Sequence, residues 1–407
     1  MDQLETLQLL SDQMGLEHAE ESRGLDTPRD TGGYSTTGEP AKPACFTPNA
    51  RPELTEREQR AVFVHPAQLP NGKQVKLLKT LLSSACERDC YYCPFRAGRD
   101  FRRATFKPQE FAELFMKLYE SNMAEGIFLS SGIAAGGANT QNKILDTAEI
   151  LRKKLGFRGY LHLKIMPGAE KGQVERLMQL ADRVSINLEA PNRERLTKLA
   201  PNKDFFAELF RPLKWVEEIR QSQPAYKGWN GRWPSTVTQF VAGGSEETDL
   251  ELLTTTDWLM KNVRLKRAYY SAFFPIRDTP MENKPPVAPL REHRLYQASF
   301  LLRDYGFDLE DMPFVQDGNL PLATDPKLAW AQQNLQGTPL EINKADRQEL
   351  LRIPGIGPKG ADAILRARRV GILHDLATLK KLGIVTTRVA PFVLLDGRRV
   401  DRQLSMF

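Results

Sequence analysis

Cysteine is scarce in this 407-residue chain, and no long apolar run occurs. Four cysteines in a chain of this length do not make a disulfide framework, and such sparing use suits a reducing compartment. No stretch approaches the roughly 20 apolar residues of a membrane-spanning helix, so no membrane partner is expected. The N-terminus has no basic region followed by an apolar segment, so no signal peptide is expected and the cytoplasm is the expected location. The rest is ordinary globular composition, 41% hydrophobic and 27% charged, with length enough for more than one domain.

Three of the four cysteines fall in one place. Cys86, Cys90 and Cys93 stand in Ser84-Ala-Cys-Glu-Arg-Asp-Cys-Tyr-Tyr-Cys-Pro94, a C-x3-C-x2-C spacing. Three thiolates this close can hold three irons of a 4Fe–4S cluster and leave the fourth iron open to a small molecule, whereas most electron-transfer clusters take four cysteines. The remaining cysteine, Cys45, lies in a Pro/Thr-rich stretch, and the cysteine count excludes a second cluster. A zinc site completed by His65 or His162 fits less well, because structural zinc favours separated cysteine pairs. Buried, unliganded cysteine is the third alternative.

Around this run, strand-like and helix-like segments alternate. Val75–Thr80 leads into the cysteines; Gly126–Ser130, Tyr160–Met166, Arg183–Leu188, Ser235–Ala242 and Arg267–Phe273 read as further strands. Between them, Pro108–Glu125, Asn139–Lys154, Lys171–Ala181, Phe205–Gln221 and Asp249–Lys261 read as helices. Repeated β–α units imply a parallel sheet with helices outside, here a partial barrel of six strands. Chemistry in such folds sits at the C-terminal strand ends, which is where the cysteine run falls. On the third strand His162 and Lys164 share a face; on the fourth, Ser185, Asn187 and Glu189 share one by period two. Polar side chains facing a barrel interior suit contacts to a ribose or an ammonium group.

Charge is uneven. Residues 1–50, which open with a short helical segment at Leu4–Leu16, carry nine acidic and three basic side chains. Residues 341–407 carry 13 Lys and Arg against seven Asp and Glu, the footprint of phosphate contact. Within that basic segment, Asn343 to Arg368 reads as helix, tight turn, helix around Ile353-Pro-Gly355-Ile-Gly357-Pro-Lys359. Asn343 is the expected N-cap of the first helix and Pro358 the first residue of the second. Gly355 and Gly357 permit close approach, and their N–H groups with the helix N-terminus form an anion site.

The C-x3-C-x-aromatic-C pattern, with Tyr92 at the aromatic position, resembles the radical S-adenosylmethionine (SAM) enzymes. The resemblance implies a SAM molecule chelated to the open iron, and its reductive cleavage to methionine and a 5′-deoxyadenosyl radical that takes hydrogen from the substrate. It also implies oxygen sensitivity and an electron donor of flavodoxin or ferredoxin type. Tyr92, Ser130, Ser131, Gly132, Lys164, Asn187 and Glu189 are the expected SAM-positioning residues. Ser130–Gly132 stands where the family usually has Gly-Gly-Glu. Phe240–Asp249 resembles the fifth-strand turn beside the adenine, and Tyr269–Pro280 the sixth-strand exit.

The segment around Gly355, Gly357 and Lys359 resembles a helix–hairpin–helix DNA-binding motif, and His374–Arg388 a degenerate second copy. Gln403-Leu404-Ser-Met406-Phe407 resembles the bacterial sliding-clamp-binding pentapeptide. The expected fold is thus α/β: a partial (β/α)6 TIM-like barrel with a small all-α helix–hairpin–helix domain. The expected divisions are an acidic segment 1–50, the barrel at 51–290, a helical connector at 291–336, the hairpin domain at 337–400 and the tail at 401–407. This combination resembles the radical SAM proteins assigned to DNA modification or repair, with duplex DNA as partner. A tRNA-modifying radical SAM enzyme and a DNA-tethered redox sensor without SAM chemistry are the alternatives. No catalytic hydrogen donor and no substrate base can be read from the sequence.

Overall fold

The computed structural model describes residues 2–14, 64–68 and 74–400. Cys45 and the pentapeptide residues Gln403, Leu404, Met406 and Phe407 lie outside the described residues. In chain order the strands of the large sheet are β1 (Val64–Gln68), β2 (Gln74–Leu81), β3 (Gly126–Ser130), β4 (Tyr160–Lys164), β5 (Arg183–Ser185), β6 (Ser235–Ala242) and β7 (Arg267–Ala272). They follow one another in sequence order and curl into a half-barrel, so the chain is mixed α/β with a partial barrel. The helices of this part are α1 (Gln3–Met14), α2 (Pro108–Glu120), α3 (Gly137–Glu149), α4 (Lys171–Met178), α5 (Arg193–Leu199), α6 (Arg211–Ser222), α7 (Asp249–Asn262) and α8 (Pro289–Asp304). Contacts divide the chain into two units: residues up to Ile186 with Phe206–Thr236, and Asn187–Phe205 with the chain from Val237.

In the first unit β2 to β5 run parallel. β1 is antiparallel to β2, with Val64 opposite Leu78 and Gln68 opposite Gln74. This strand is absent from the six-strand expectation because Pro66 sits within it, and proline argues against a strand except at a sheet edge. Helix α1 buries Leu7, Leu10 and Met14, a helical stripe, and packs against β2. Helix α2 buries Phe111, Leu114 and Phe115, with Phe115 edge-on to Phe157 at 5.0 Å. It stops at Glu120 rather than 125 because Asn122 turns left-handed, φ +58°. Just beyond α3, Arg152 is buried yet satisfied: it donates to the carbonyls of Leu180, Phe157 and Gly159 and to Asp182 at 2.9 Å. Burial still pushes this guanidinium down to about 10. Asp182 also accepts from the Leu161 N–H, so this pair fastens the N-terminal ends of β4 and β5 and leaves their C-terminal ends to the chemistry.

β5 is shorter than the expected Arg183–Leu188, ending at Ser185. In the second unit, Glu189 takes φ +65°, which breaks the period-two alternation assumed for Ser185, Asn187 and Glu189. Its N–H donates to the Gln239 carbonyl and its carbonyl accepts from Val241, tying it to β6. Two outward amides of β7 are occupied by α8. Tyr270 N–H donates to the Tyr296 hydroxyl at 3.1 Å and Ala272 N–H to the Glu292 carboxylate at 2.9 Å. The four-residue step from Glu292 to Tyr296 rises about 6 Å along a helix and two strand residues span about 6.6 Å, so the two spacings match. With those amides taken, an eighth strand has no ladder on this edge, and the barrel stays open.

The chain continues through α9 (Pro326–Asn334), β8 (Leu340–Glu341), α10 (Arg347–Arg352), α11 (Pro358–Ala367), α12 (Leu376–Lys381), α13 (Thr386–Val389), β9 (Val393–Leu395) and β10 (Arg398–Arg399). Ile342, Leu350, Ile353, Ile356, Ile364, Leu379 and Val389 form one core, to which Ala331 of α9 and Leu335 just after it also belong. Asp346, not Asn343, caps α10: its carboxylate accepts from Glu349 N–H, and Glu349 returns a bond to Asp346 N–H. Asn343 instead bridges both backbone groups of Leu373. The expected all-α domain also carries a sheet in the order β10-β9-β8. Its β9–β10 turn is Asp396-Gly397, both left-handed at φ +54° and +73°, the pairing that a tight hairpin demands.

Candidate functional site

The cysteine loop leaves β2 and returns alongside its own start. Ser84 N–H donates to Ala104 O and Phe106 N–H to Leu82 O, both at 2.9 Å, and the Ser83 and Thr105 hydroxyls lie 2.6 Å apart. Between these closing pairs, Cys90 is buried while Cys86 and Cys93 are partly exposed, and none of the three is in a disulfide. Phe95 N–H points at Cys93 Sγ, 3.4 Å away. Among the described residues, no three His, Cys, Asp or Glu side chains converge as they would on a single metal ion. The donor set fits an iron–sulfur cluster: three thiols from one loop, one of them already receiving the backbone hydrogen bond that tunes cluster sulfurs.

Strand β3 ends against this loop. Leu82 N–H donates to Ser130 O, Gly132 N–H to Ser83 O and Glu87 N–H to Ile133 O. A Cβ on Gly132 would lie 2.4 Å from Ala85 O and 3.2 Å from Cys86 Cβ, so only glycine lets the two segments touch. Ser130 is buried, and the Ser131 hydroxyl donates to Gly132 O. The fold therefore brings Ser130, Ser131 and Gly132 directly beside the cysteines. Tyr92 is half-buried in the loop itself. The Glu87 carboxylate accepts from Gly136 N–H at 3.2 Å, and Arg88 pairs with Glu208 at 2.5 Å.

Further along the strand ends, Lys164 is buried at the end of β4, its ammonium 5.8 Å from the Phe128 ring centre. His162 is fully buried, with Nε2 2.9 Å from Ser185 Oγ, as a satisfied core polar pair would be. In the second unit Asn187 is half-buried, and the Glu189 carboxylate pairs with Lys203 at 3.1 Å, both side chains less than a tenth exposed. The β6–α7 turn is built on Glu247, which is buried and accepts from the backbone of Gly243 and from Ser245 N–H and Oγ. These anchors escaped the sequence reading, as did Glu87 and the Arg88–Glu208 pair. The only signal was the density of arginine near the cysteines, at 88, 96, 99, 102 and 103, which reads equally as surface.

In the C-terminal core the turn Gly355-Ile356-Gly357 joins α10 to α11. Gly355 has φ +86°, and a Cβ there would meet Val385 O at 3.0 Å, so the turn rests on the start of α13. Gly357 caps α11, Pro358 is its first residue, and Lys359 is exposed. From below, Lys327 of α9 donates to Ile356 O at 2.5 Å, and the Tyr305 hydroxyl lies 3.3 Å from where a Gly357 Cβ would be. Arg352 stands between the Phe307 and Trp330 rings, 4.7 and 4.8 Å from their centres, and pairs with Asp311 at 2.8 Å. None of the helices is long and apolar enough to cross a membrane among the described residues.

Residues 80–259 match the family model of the radical SAM superfamily. The chain carries a radical SAM domain. Enzymes of that superfamily use a 4Fe–4S cluster and SAM and typically need an electron donor. No curated protein matches it. Solved structures similar to it include HydG, a maturase of the FeFe-hydrogenase, at 11% identity over 56% of this chain and 49% of that one, TM-score 0.44. Methylornithine synthase (PylB) is 16% identical over 56% and 62% of the two chains, TM-score 0.43. Coproporphyrinogen III oxidase (HemN) from Escherichia coli is 14% identical over 56% and 52%, TM-score 0.36. The chain spans about half to three fifths of the length of these proteins.

Proposed function

We propose that this chain is a radical SAM enzyme that acts on DNA, modifying or repairing a base or lesion, in the cytoplasm. The observation that carries the reading is one chain holding a radical SAM domain and a basic C-terminal core whose Gly355–Lys359 turn opens helix α11. Glycines at its tip and a helix N-terminus suited to a phosphate support reading that turn as a helix–hairpin–helix motif. Helices α12 and α13 would be its second copy.

Cys86, Cys90 and Cys93 would hold the cluster. When bound and reduced, the cluster with SAM would supply hydrogen-atom abstraction chemistry. The protein's part is position and exclusion of water. Ser130, Ser131 and Gly132, pressed on the loop, would face SAM together with Tyr92, Lys164, Asn187 and Glu189. Gly355, Gly357 and Lys359 would grip duplex phosphates, and a base inside a duplex has to be extruded or already loosened to be reached. An electron donor of flavodoxin or ferredoxin type would reduce the cluster, and the C-terminal pentapeptide would dock on a sliding clamp.

The test is 5′-deoxyadenosine formation by anaerobically reconstituted protein with reductant and SAM, with and without damaged duplex DNA or tRNA. The expected result is product that is lost in Cys90→Ala and stimulated by the duplex. Stimulation by tRNA alone would move the substrate class to RNA. Loaded protein that binds DNA and never cleaves SAM would leave a redox sensor.

A further inference from the structure

We infer that Arg103 is the positioning residue of the cysteine loop, holding its three thiols in register for cluster binding. Its guanidinium lies inside the loop and donates to four carbonyls. One terminal nitrogen reaches Ser84 O and Phe95 O, both at 3.0 Å; the other reaches Arg96 O at 2.9 Å and Arg99 O at 3.2 Å. Those carbonyls bracket the ligands, Ser84 two residues before Cys86 and Phe95 two residues after Cys93. Its guanidinium carbon also stands 4.1 Å from the Phe101 ring centre.

The loop has almost no regular structure, so ordering it costs backbone entropy and leaves inward carbonyls needing donors. A planar cation with several donors in a rigid fork meets both demands at once; a lysine, with its donors on one nitrogen, cannot span the same four oxygens. Arg103 is itself held. Its neighbour Ala104 exchanges backbone and side-chain bonds with Ser84, and Gln13 of α1 donates to Arg102 O at 2.7 Å. Helix α1 thus braces the cysteine loop from a distant part of the sequence. Groups that orient metal ligands from behind typically carry a 10- to 100-fold effect on metal affinity, which sets the expected size here at about that range.

The inference rests on Cys86, Cys90 and Cys93 being the cluster ligands, and the experiment separates the two. Wild type, Cys90→Ala, Arg103→Ala and Arg103→Lys are reconstituted anaerobically. Iron and sulfide content, the electron paramagnetic resonance spectrum of the reduced protein, and the rate of cluster loss to a chelator are then read. For Arg103→Ala the expected result is loss about 10- to 100-fold faster, an added 3Fe–4S signal, and slowing of the loss by free methylguanidine. Arg103→Lys should be intermediate. Folded Arg103→Ala protein with wild-type iron content, spectrum and loss rate would overturn the inference while leaving the ligands intact. Full loading of Cys90→Ala would instead overturn the ligand assignment. Should Arg103→Ala not fold, wild-type loss from Arg103→Lys, which keeps the charge and lacks the fork, overturns it equally.

Discussion

Lys327 offers the sharpest quantitative test of how the C-terminal turn is held. The amine is nine-tenths buried, donates to Ile356 O at 2.5 Å, and has the Tyr305 ring centre 4.7 Å away. Burial lowers its pKa most, the nearby Arg388 charge lowers it further, and Asp325 opposes; the result is about 7. In the unfolded chain the amine keeps its proton to about pH 10.4. From about pH 7 to pH 10 the unfolded state therefore binds more protons, and stability rises with pH through this window. Below pH 7 both states are protonated and the group contributes no slope. Between pH 7 and pH 9 the gain from this one group is about 2 kcal/mol. Lys327→Met removes it. The Met variant also leaves Ile356 O without its donor, at a cost of about 1–3 kcal/mol, but that cost is the same at every pH and subtracts out. Hydrogen exchange of amides in 347–367, read for both proteins at pH 7 and pH 9, gives the difference in opening free energy. A wild-type-minus-variant difference that does not change between the two pH values would refute the reasoning, and with it the view that the turn rests on a neutral amine.

Two further outcomes follow from close contacts. Gly132→Ala places a methyl 2.4 Å from a backbone oxygen that cannot swing away, so the variant should fold with an unchanged circular dichroism spectrum yet load less iron; full loading would mean β3 does not brace the loop. Lys203→Met strands the Glu189 carboxylate in a buried setting, for an expected loss of about 3–5 kcal/mol. Adding Glu189→Gln should recover most of that loss in a denaturant titration, and additive effects in the double variant would argue against the pair.

The cysteine spacing, the β–α alternation and the Pro-Gly-Ile-Gly-Pro turn were legible because each is local. Cluster ligation, strand periodicity and tight-turn glycines are all properties of residues near one another in the chain, and the strands from β2 to β7 and the start of α11 at Pro358 agree with that reading. Where tertiary packing intervened, local rules failed. Pro66 masked an edge strand whose partner lies in β2; Glu189 left the extended region because its bonds are to β6; Asn343 surrendered the cap to Asp346 because its amide bridges Leu373, thirty positions away. The order of residues by itself determined that this chain has one cluster-sized group of thiols and a basic C-terminal segment. Only the fold decided that Arg103 fills the cysteine loop, that Gly132 lies on Ala85, and that Tyr296 and Glu292 end the sheet at β7. Those contacts join residues whose separation in sequence carries no periodic signal; they arise when buried carbonyls, amides and charges must all find partners in the same small volume.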